Sequence, residues 1–348
     1  MIFDLRSGPS RRGRACLGVL ASLLGAAVLA ACGSSSAAGS GSGLKTIKVG
    51  LGGNVFDAPL HVADEKGYFK QEGLNVQFVT LTASTGTPAL QSGSIQFLND
   101  SPNDFLTAAT KGTAEIAVGV DAIGSPLGLI ASKKFATAHH LTARTPAATV
   151  AKALVGSTAG ASAPTTRAEA GVFLRSDGVQ LAQMKWVTLP SPAADEAALK
   201  SGEIDWFVTS EPIPLEVQAS GDGVVVAGPG SVPVWNNART GIGTTLVTTK
   251  GYAKANGATV TKFVAAVQKA DAYVRSHEQQ VVPIVAKTLP GIPNSVLLQS
   301  LKLVGWPTTV KMSPAEWKTS LRWIHEQGLI GGLGSTLDTS DYTNQYLR

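Results

Sequence analysis

VGLGGNVFDAPLHVADEKGYFKQEGLNVQFV, Val49 to Val79, is the stretch on which the fold turns. Ile47, Val49 and Leu51 alternate with Lys48 and Gly50, the period of a half-buried strand. Gly52-Gly53-Asn54 breaks the run. Asp57 is placed to cap a helix opening at Ala58-Pro59, where proline costs no hydrogen bond. Gly67 and Gly73 mark two stops, and Leu74, Val76 and Phe78 then alternate with Asn75 and Gln77 as a second strand. The reading is strand, loop, short helix, turn, strand. It puts a helix beginning at the end of the first strand, where free N–H groups can hold a polar or anionic group.

The run Ala58-Pro59-Leu60, then Ala63-Asp64-Glu65-Lys66-Gly67-Tyr68-Phe69-Lys70-Gln71-Glu72-Gly73-Leu74-Asn75-Val76, resembles a known signature. It is found near the start of solute-binding proteins of the nitrate/sulfonate/taurine type, which serve ABC importers. The resemblance extends from about Leu44 to the C-terminus and is strongest over 49–105 and 198–212. It implies an α/β, two-lobe periplasmic-binding-protein fold with two crossovers (type II) and a ligand cleft between the lobes. Lobe one is expected over 44–124 and 232–348, and lobe two over 125–231. The implied activity is capture of a small solute, sulfonate- or taurine-like, for a permease and its ATPase. A thiamine-precursor pyrimidine or an aromatic acid is the alternative solute. Catalysis and cofactors are not implied, and a monomer is expected.

The chain carries a second copy of part of this pattern. Ala89-Leu90-Gln91-Ser92-Gly93-Ser94-Ile95-Gln96-Phe97-Leu98 matches Ala198-Leu199-Lys200-Ser201-Gly202-Glu203-Ile204-Asp205-Trp206-Phe207 at an offset of 109. Ser101-Pro102 follows the first copy and Ser210-Glu211-Pro212 the second. A helix ending in Ser-Gly, then a strand, then a capped helix predicts two βαβ halves of similar build. Further strands are expected at Ser94–Leu98, Glu115–Val120, Ala153–Gly156, Gly223–Gly228 and Thr244–Thr249. Residues 259–276 form an amphipathic helix, and Ser313-Pro314-Ala315-Glu316 opens another as a capping box. Trp317 and Trp323 on that helix are expected in the core.

Of the 348 residues, 44% are hydrophobic and 15% charged, an ordinary balance for a chain that buries one large core or two medium ones. The pI near 9.1 comes largely from the N-terminus. Arg6, Arg11, Arg12 and Arg14 against Asp4 give +3 within residues 1–31, so removing them takes the formal charge from +5 to +2. No Lys/Arg cluster remains, which gives nucleic-acid binding no support. Residues 1–31 read as a secretory signal, an arginine-bearing start followed by the apolar CLGVLASLLGAAVLAA. Ser10-Arg11-Arg12 begins a twin-arginine pattern from which Gly13-Arg14 departs. Leu29-Ala30-Ala31-Cys32 resembles the bacterial lipobox, so Cys32 is the expected lipidation site and membrane attachment on the extracytoplasmic face. Gly33 to Gly43 is then a flexible tether reaching about 20 Å. The other cysteine, Cys16, lies within the leader, so the mature chain has no disulfide framework.

Five strand exits lead through small polar residues into a helix start: Asn54–Asp57, Ser84–Thr87, Asp100–Asn103, Ser162–Thr166 and Ser210–Glu211. In a parallel sheet such exits share one edge, where ligands bind. The candidate ligand-binding residues are therefore Asn54, Phe56, Asp57, Ser84, Thr85, Asp100, Ser101, Ser125, Ser162, Thr165, Thr166, Glu211, Trp235 and Asn237. Each hydroxyl among them also suits a plain N-cap, and each acid also offsets a helix dipole. Asp57, Asp100 and Glu211 are the acids expected to hold an ammonium, with helix N-termini opposite holding a sulfonate or carboxylate. Phe56 and Trp235 are expected to enclose an apolar part.

Enzyme chemistry finds little purchase. His61, His139, His140, His277 and His325 lack metal-ligand spacing, and no G-x-x-x-x-G-K-[ST] phosphate loop is present. Gly160-Ala161-Ser162-Ala163-Pro164 misses the G-x-S-x-G elbow at its last position. It leaves a secreted serine hydrolase using Ser162 as the reading from a different class.

Overall fold

The alternation around Val49 and Val76 produces two paired strands. β1 (Lys45–Leu51) and β2 (Leu74–Thr80) run parallel, with Lys45 opposite Leu74 and Leu51 opposite Thr80. The computed structural model describes residues 43–331 and 339–348. The signal segment, the lipobox cysteine Cys32 and the tether up to residue 42 lie outside the described residues.

After β1 the chain forms α1 (Ala58–Glu65) and α2 (Tyr68–Gln71) before β2. Then come α3 (Ala83–Gln91), β3 (Phe97–Asp100), α4 (Pro102–Thr110) and β4 (Glu115–Ile123). The next segment is β5 (Leu127–Ser132), α5 (Lys133–Ala138), α6 (Ala147–Ala153), β6 (Thr158–Ala161), α7 (Pro164–Ser176) and β7 (Lys185–Thr188). It continues through α8 (Pro192–Ser201), β8 (Trp206–Ser210), α9 (Ile213–Ser220) and β9 (Gly223–Ala227). The chain returns by α10 (Asn237–Thr240) to β10 (Ile242–Thr249). It finishes with α11 (Lys250–Ala255), α12 (Gly257–Ser276), α13 (Glu278–Ala286), α14 (Asn294–Leu303) and α15 (Pro314–Glu326).

The strands form two five-stranded sheets, β2-β1-β3-β10-β4 and β7-β6-β8-β5-β9. Their plans are the same. In each, three strands pair in parallel and one antiparallel strand, β10 or β5, is inserted fourth in the order. The chain crosses between sheets twice, from β4 to β5 and from β9 to β10, which is the two-crossover pattern. The internal repeat is visible in register: β3 begins at Phe97 and β8 at Trp206, 109 residues apart.

One strand was expected in the wrong place. Ala153–Gly156 is the end of α6 and a turn, and the strand is β6, Thr158–Ala161. Ala-Leu-Val before glycine fits a helix end as well as a strand. Here Val150, Ala151 and Leu154 are buried as a helical face. The third strand likewise starts at Phe97 rather than Ser94.

Alternation of side chains across each sheet divides the core. On one face of the first sheet, Ile47, Val49, Phe97 and Leu246 pack with Leu60, Phe263 and Val267. Phe97 and Phe263 stack at 4.0 Å between centroids, and Phe69 stacks on Phe263 at 5.6 Å. The opposite face, with Leu98, Val120 and Val247, is continuous with one face of the second sheet through Phe105, Trp235, Phe173 and Trp206. Trp317 and Trp323 lie in this shared core at 2% and 3% exposure. Ile130, Phe207 and Val217 make a smaller cluster on the second sheet's far face.

Candidate functional site

β3 places two polar residues on opposite faces of the first sheet, at the end from which the chain leaves for the second. Asn99 points to one face. Its Nδ2 donates to Asp57 Oδ1 at 3.1 Å and to the Phe56 carbonyl at 3.3 Å. Asp57 Oδ2 accepts from the Gly53 and Asn54 amides at 2.7 and 3.1 Å, while Asn54 Oδ1 accepts from Phe56 N–H. Asp57 thus ties down the loop that precedes α1, and Phe56 is packed under it at 6% exposure. On the same face Thr244 donates to Asp121 Oδ1 at 2.7 Å. Asp121 Oδ2 and Asn99 Oδ1 are buried without partners. Burial pushes Asp57 up to about 6 and Asp121 up to about 7, the latter helped by repulsion from Asp57.

Asp100 occupies the other face, beside the start of α4. Ser101 caps that helix, accepting from Asp104 N–H at 3.1 Å and donating to Asp104 Oδ2 at 2.9 Å. Asn103, two residues after Ser101, reaches across to α7 of the second sheet. Its Nδ2 donates to Glu169 Oε1 at 3.0 Å and to Gln327 Oε1 at 3.2 Å, and Gln327 Nε2 donates back at 3.1 Å. Burial raises Asp100 well above the usual carboxylate range, reinforced by the charges of Asp104 and Glu115. Glu169 is pushed up to about 8 by burial and by Asp104, against the hydrogen bond from Asn103.

A second crossing point lies at Glu211. Its Oε2 accepts from Ser300 of α14 at 3.2 Å and from Leu215 N–H at 3.3 Å. Its own N–H donates to the Pro126 carbonyl, next to Ser125 in the first crossover. Burial raises Glu211 to about 7. Asn237 meets the same crossover, packed on Gly124.

The expected residues therefore fall into groups. Asp100 and Ser101 join the α4–α7 contact, Asn54, Phe56 and Asp57 stay within the first sheet, and Ser125, Asn237 and Glu211 gather at the crossovers. Ser162 lies beside Asp195 of α8, whose carboxyl burial raises to about 6 against the offset from the Ser162 hydroxyl and amide. Thr166 bonds the Ala163 backbone at the start of α7, next to half-buried Thr165. Ser84 and Thr85 are exposed at the start of α3, where Thr85 caps with Thr82. Trp235 is fully buried. It packs on Phe173 at 5.3 Å and donates its indole N–H to the Glu169 carbonyl, so it is a core residue in this conformation. Arg239 pairs with Glu326 at 2.9 Å.

Asn99, Asp104, Asp121, Glu169, Asp195, Ser300 and Gln327 are not among the residues the sequence points to, and Asn103 enters there only as the end of the strand exit Asp100–Asn103. For Asp104 and Asp195 a signal existed, an acid in the first turn after Ser101 and Ser191. A concavity of about 440 Å³ lies elsewhere, on the flank of the first sheet against α1 and α13, with His61, Phe78 and Lys287 in its wall and no residue from the second sheet.

The NMT1-like family matches residues 40–289, most of the chain. The chain belongs to the NMT1-like family. No curated protein matches it. The fold of this NMT1-like chain is shared with the alkanesulfonate-binding protein SsuA from Xanthomonas axonopodis pv. citri, solved with MOPS. The two are 17% identical, with TM-score 0.66, 83% of this chain and 96% of that one covered. The nitrate-binding protein NrtA from Synechocystis PCC 6803 is similar at 16% identity and TM-score 0.68, with 83% of each chain covered. A Candida albicans protein described as having the generic periplasmic-binding-protein fold matches at 15% identity and TM-score 0.67, over 86% of this chain and 97% of that one.

Proposed function

We propose that the protein is an extracytoplasmic solute-binding lipoprotein. It captures a small organic solute of the sulfonate or taurine type and delivers it to the permease of an ABC importer. The observation that carries this reading is the pair of like-ordered sheets joined by two crossovers, with polar residues at strand exits of both. Separation and closure of two such halves around a solute is a hinge motion. The alkanesulfonate and nitrate binders that share the fold support the importer role. The lipid on Cys32 holds a monomer near its permease and raises its local concentration there. Ser162 has the buried carboxyl of Asp195 as neighbour.

A thermal-shift screen tests the reading, with taurine, ethanesulfonate, nitrate and hydroxymethylpyrimidine as probes. A probe at a hundred times its dissociation constant stabilises the fold by about 2.7 kcal/mol. Stabilisation by taurine or ethanesulfonate supports the assignment. Stabilisation by the pyrimidine alone moves it to the thiamine-precursor class, and ester hydrolysis abolished by Ser162→Ala replaces it with the enzyme.

A further inference from the structure

Three carboxylates lie around the start of the helix after β3, where Asn103 bonds Glu169 of the helix after β6. Asp100 closes β3, Asp104 stands in the first turn of α4, and Glu169 projects from α7 of the second sheet. Asp104 acts electrostatically on both of the others. Among the described residues, their hydrogen-bond partners are neutral: Ser101, Asn103 and, through Asn103, Gln327. Asp100 Oδ2 is buried with no partner, and Glu169 is 7% exposed. Trp235 comes from the crossover to bond the Glu169 carbonyl and brings no charge. Among the described residues, the cations of α7 and α10 are committed elsewhere. Arg167 lies over the Trp186 ring, Arg175 donates to the Glu326 carbonyl, and Arg239 pairs with the Glu326 carboxylate. Glu115 adds a further negative charge near Asp100.

Buried like charges without a counter-ion are costly, so such groups retain protons or take up a cation. The raised pKa values are the first response. The second is a vacancy in charge, and it lies between the sheets, where a solute would be gripped.

We propose that Asp100, Asp104 and Glu169 together form the seat for a cationic group of the solute, a primary ammonium, amidinium or guanidinium, held from both sheets at once. This rests on the solute-binding reading above and narrows it. The seat repels a bare anion and favours a solute that carries an amine. Entry of the cation drives protons off the carboxyls, so amine binding tightens as pH rises and releases protons. Because the acids come from two sheets, one cation joins α4 to α7.

Calorimetry on the full mature chain tests this, with taurine, ethylammonium, guanidinium and ethanesulfonate as probes in buffers of different ionisation enthalpy. Taurine and the simple cations are expected to bind with proton release, and to tighten about tenfold from pH 6 to 8. Glu169→Gln keeps an acceptor for Asn103 yet removes the charge. It is expected to weaken taurine about tenfold or more and to leave ethanesulfonate unchanged or stronger. Asp104→Asn is the second variant, and thermal unfolding checks that both fold. Ethanesulfonate binding as tightly as taurine, or both variants weakening the two alike, overturns the seat and leaves the solute-binding reading standing. No binding by any probe overturns both.

Discussion

Asn103 Nδ2 stands 3.0 Å from Glu169 Oε1 and so joins a helix of the first sheet to a helix of the second. The same amide exchanges two hydrogen bonds with Gln327, at 3.2 and 3.1 Å. Asn103→Ala leaves a buried acid and a buried amide short of partners. Each orphaned group costs about 1–3 kcal/mol. Urea unfolding should show a loss of about 2–6 kcal/mol for the two together. A loss below about 0.5 kcal/mol would mean that the contact forms without holding the sheets together.

Acidity should stabilise this fold. Glu169 is raised to about 8, Asp121 and Glu211 to about 7, and Asp57 and Asp195 to about 6. Each folded value lies above the unfolded one, so the folded chain keeps protons that the unfolded chain releases. Stability is then full below the ordinary carboxyl values and is lost as pH climbs through the folded ones, across a window of about 4.5 to 8. The melting temperature should be higher at pH 5.5 than at pH 8.5. Glu169→Gln should flatten the upper part of that decline. A profile that rises towards pH 8.5 would refute the expectation.

Gly124 takes φ +83° where the chain leaves the first sheet, and a Cβ there would stand 2.0 Å from Asn237 Oδ1. Its amide donates to the Gly241 carbonyl at 2.7 Å, so the two crossovers touch at this point. Gly124→Ala should cost about 1–3 kcal/mol through strain and displacement of Asn237. Adding Asn237→Ala relieves the clash and leaves the backbone cost of about 1 kcal/mol. Chemical denaturation of the single and double variants measures both parts. Equal losses in the two would place the whole effect in the backbone.

Cys32 is the proposed point of lipid attachment. Cys32→Ala should move the protein from the detergent phase to the aqueous phase in a phase-partition assay, with its melting temperature unchanged. Retention in the detergent phase would require another anchor.

Local pattern and internal repetition made much of this architecture legible. The alternation around Val49 and Val76 fixed one strand pair, and the repeat near Phe97 and Trp206 pointed to two like halves. Ala153–Gly156 misled because a short apolar run before glycine suits either element, and only the buried face of α6 decides. The site was read less completely. Asp100 and Ser101 follow from their place at a strand exit, but Glu169 lies 66 residues beyond Asn103 and Gln327 224 beyond it. Nothing local in an acid midway along a helix, or a glutamine after one, marks it as a partner of Asn103. The expectation that Trp235 encloses an apolar part of the solute rests on its ring alone, and a ring suits a core equally well. Its burial is a property of the packed core.

The antiparallel strands carry a consequence for the order of synthesis. β5 precedes the other strands of its sheet, so residues 127–227 contain every strand of that half. The other half has a hole in its middle until β10, Ile242–Thr249, slides between β3 and β4. A chain emerging from its N-terminus therefore cannot close its first half until the second has passed. The first sheet thus joins β3 to β4 only after every strand of the second has been made.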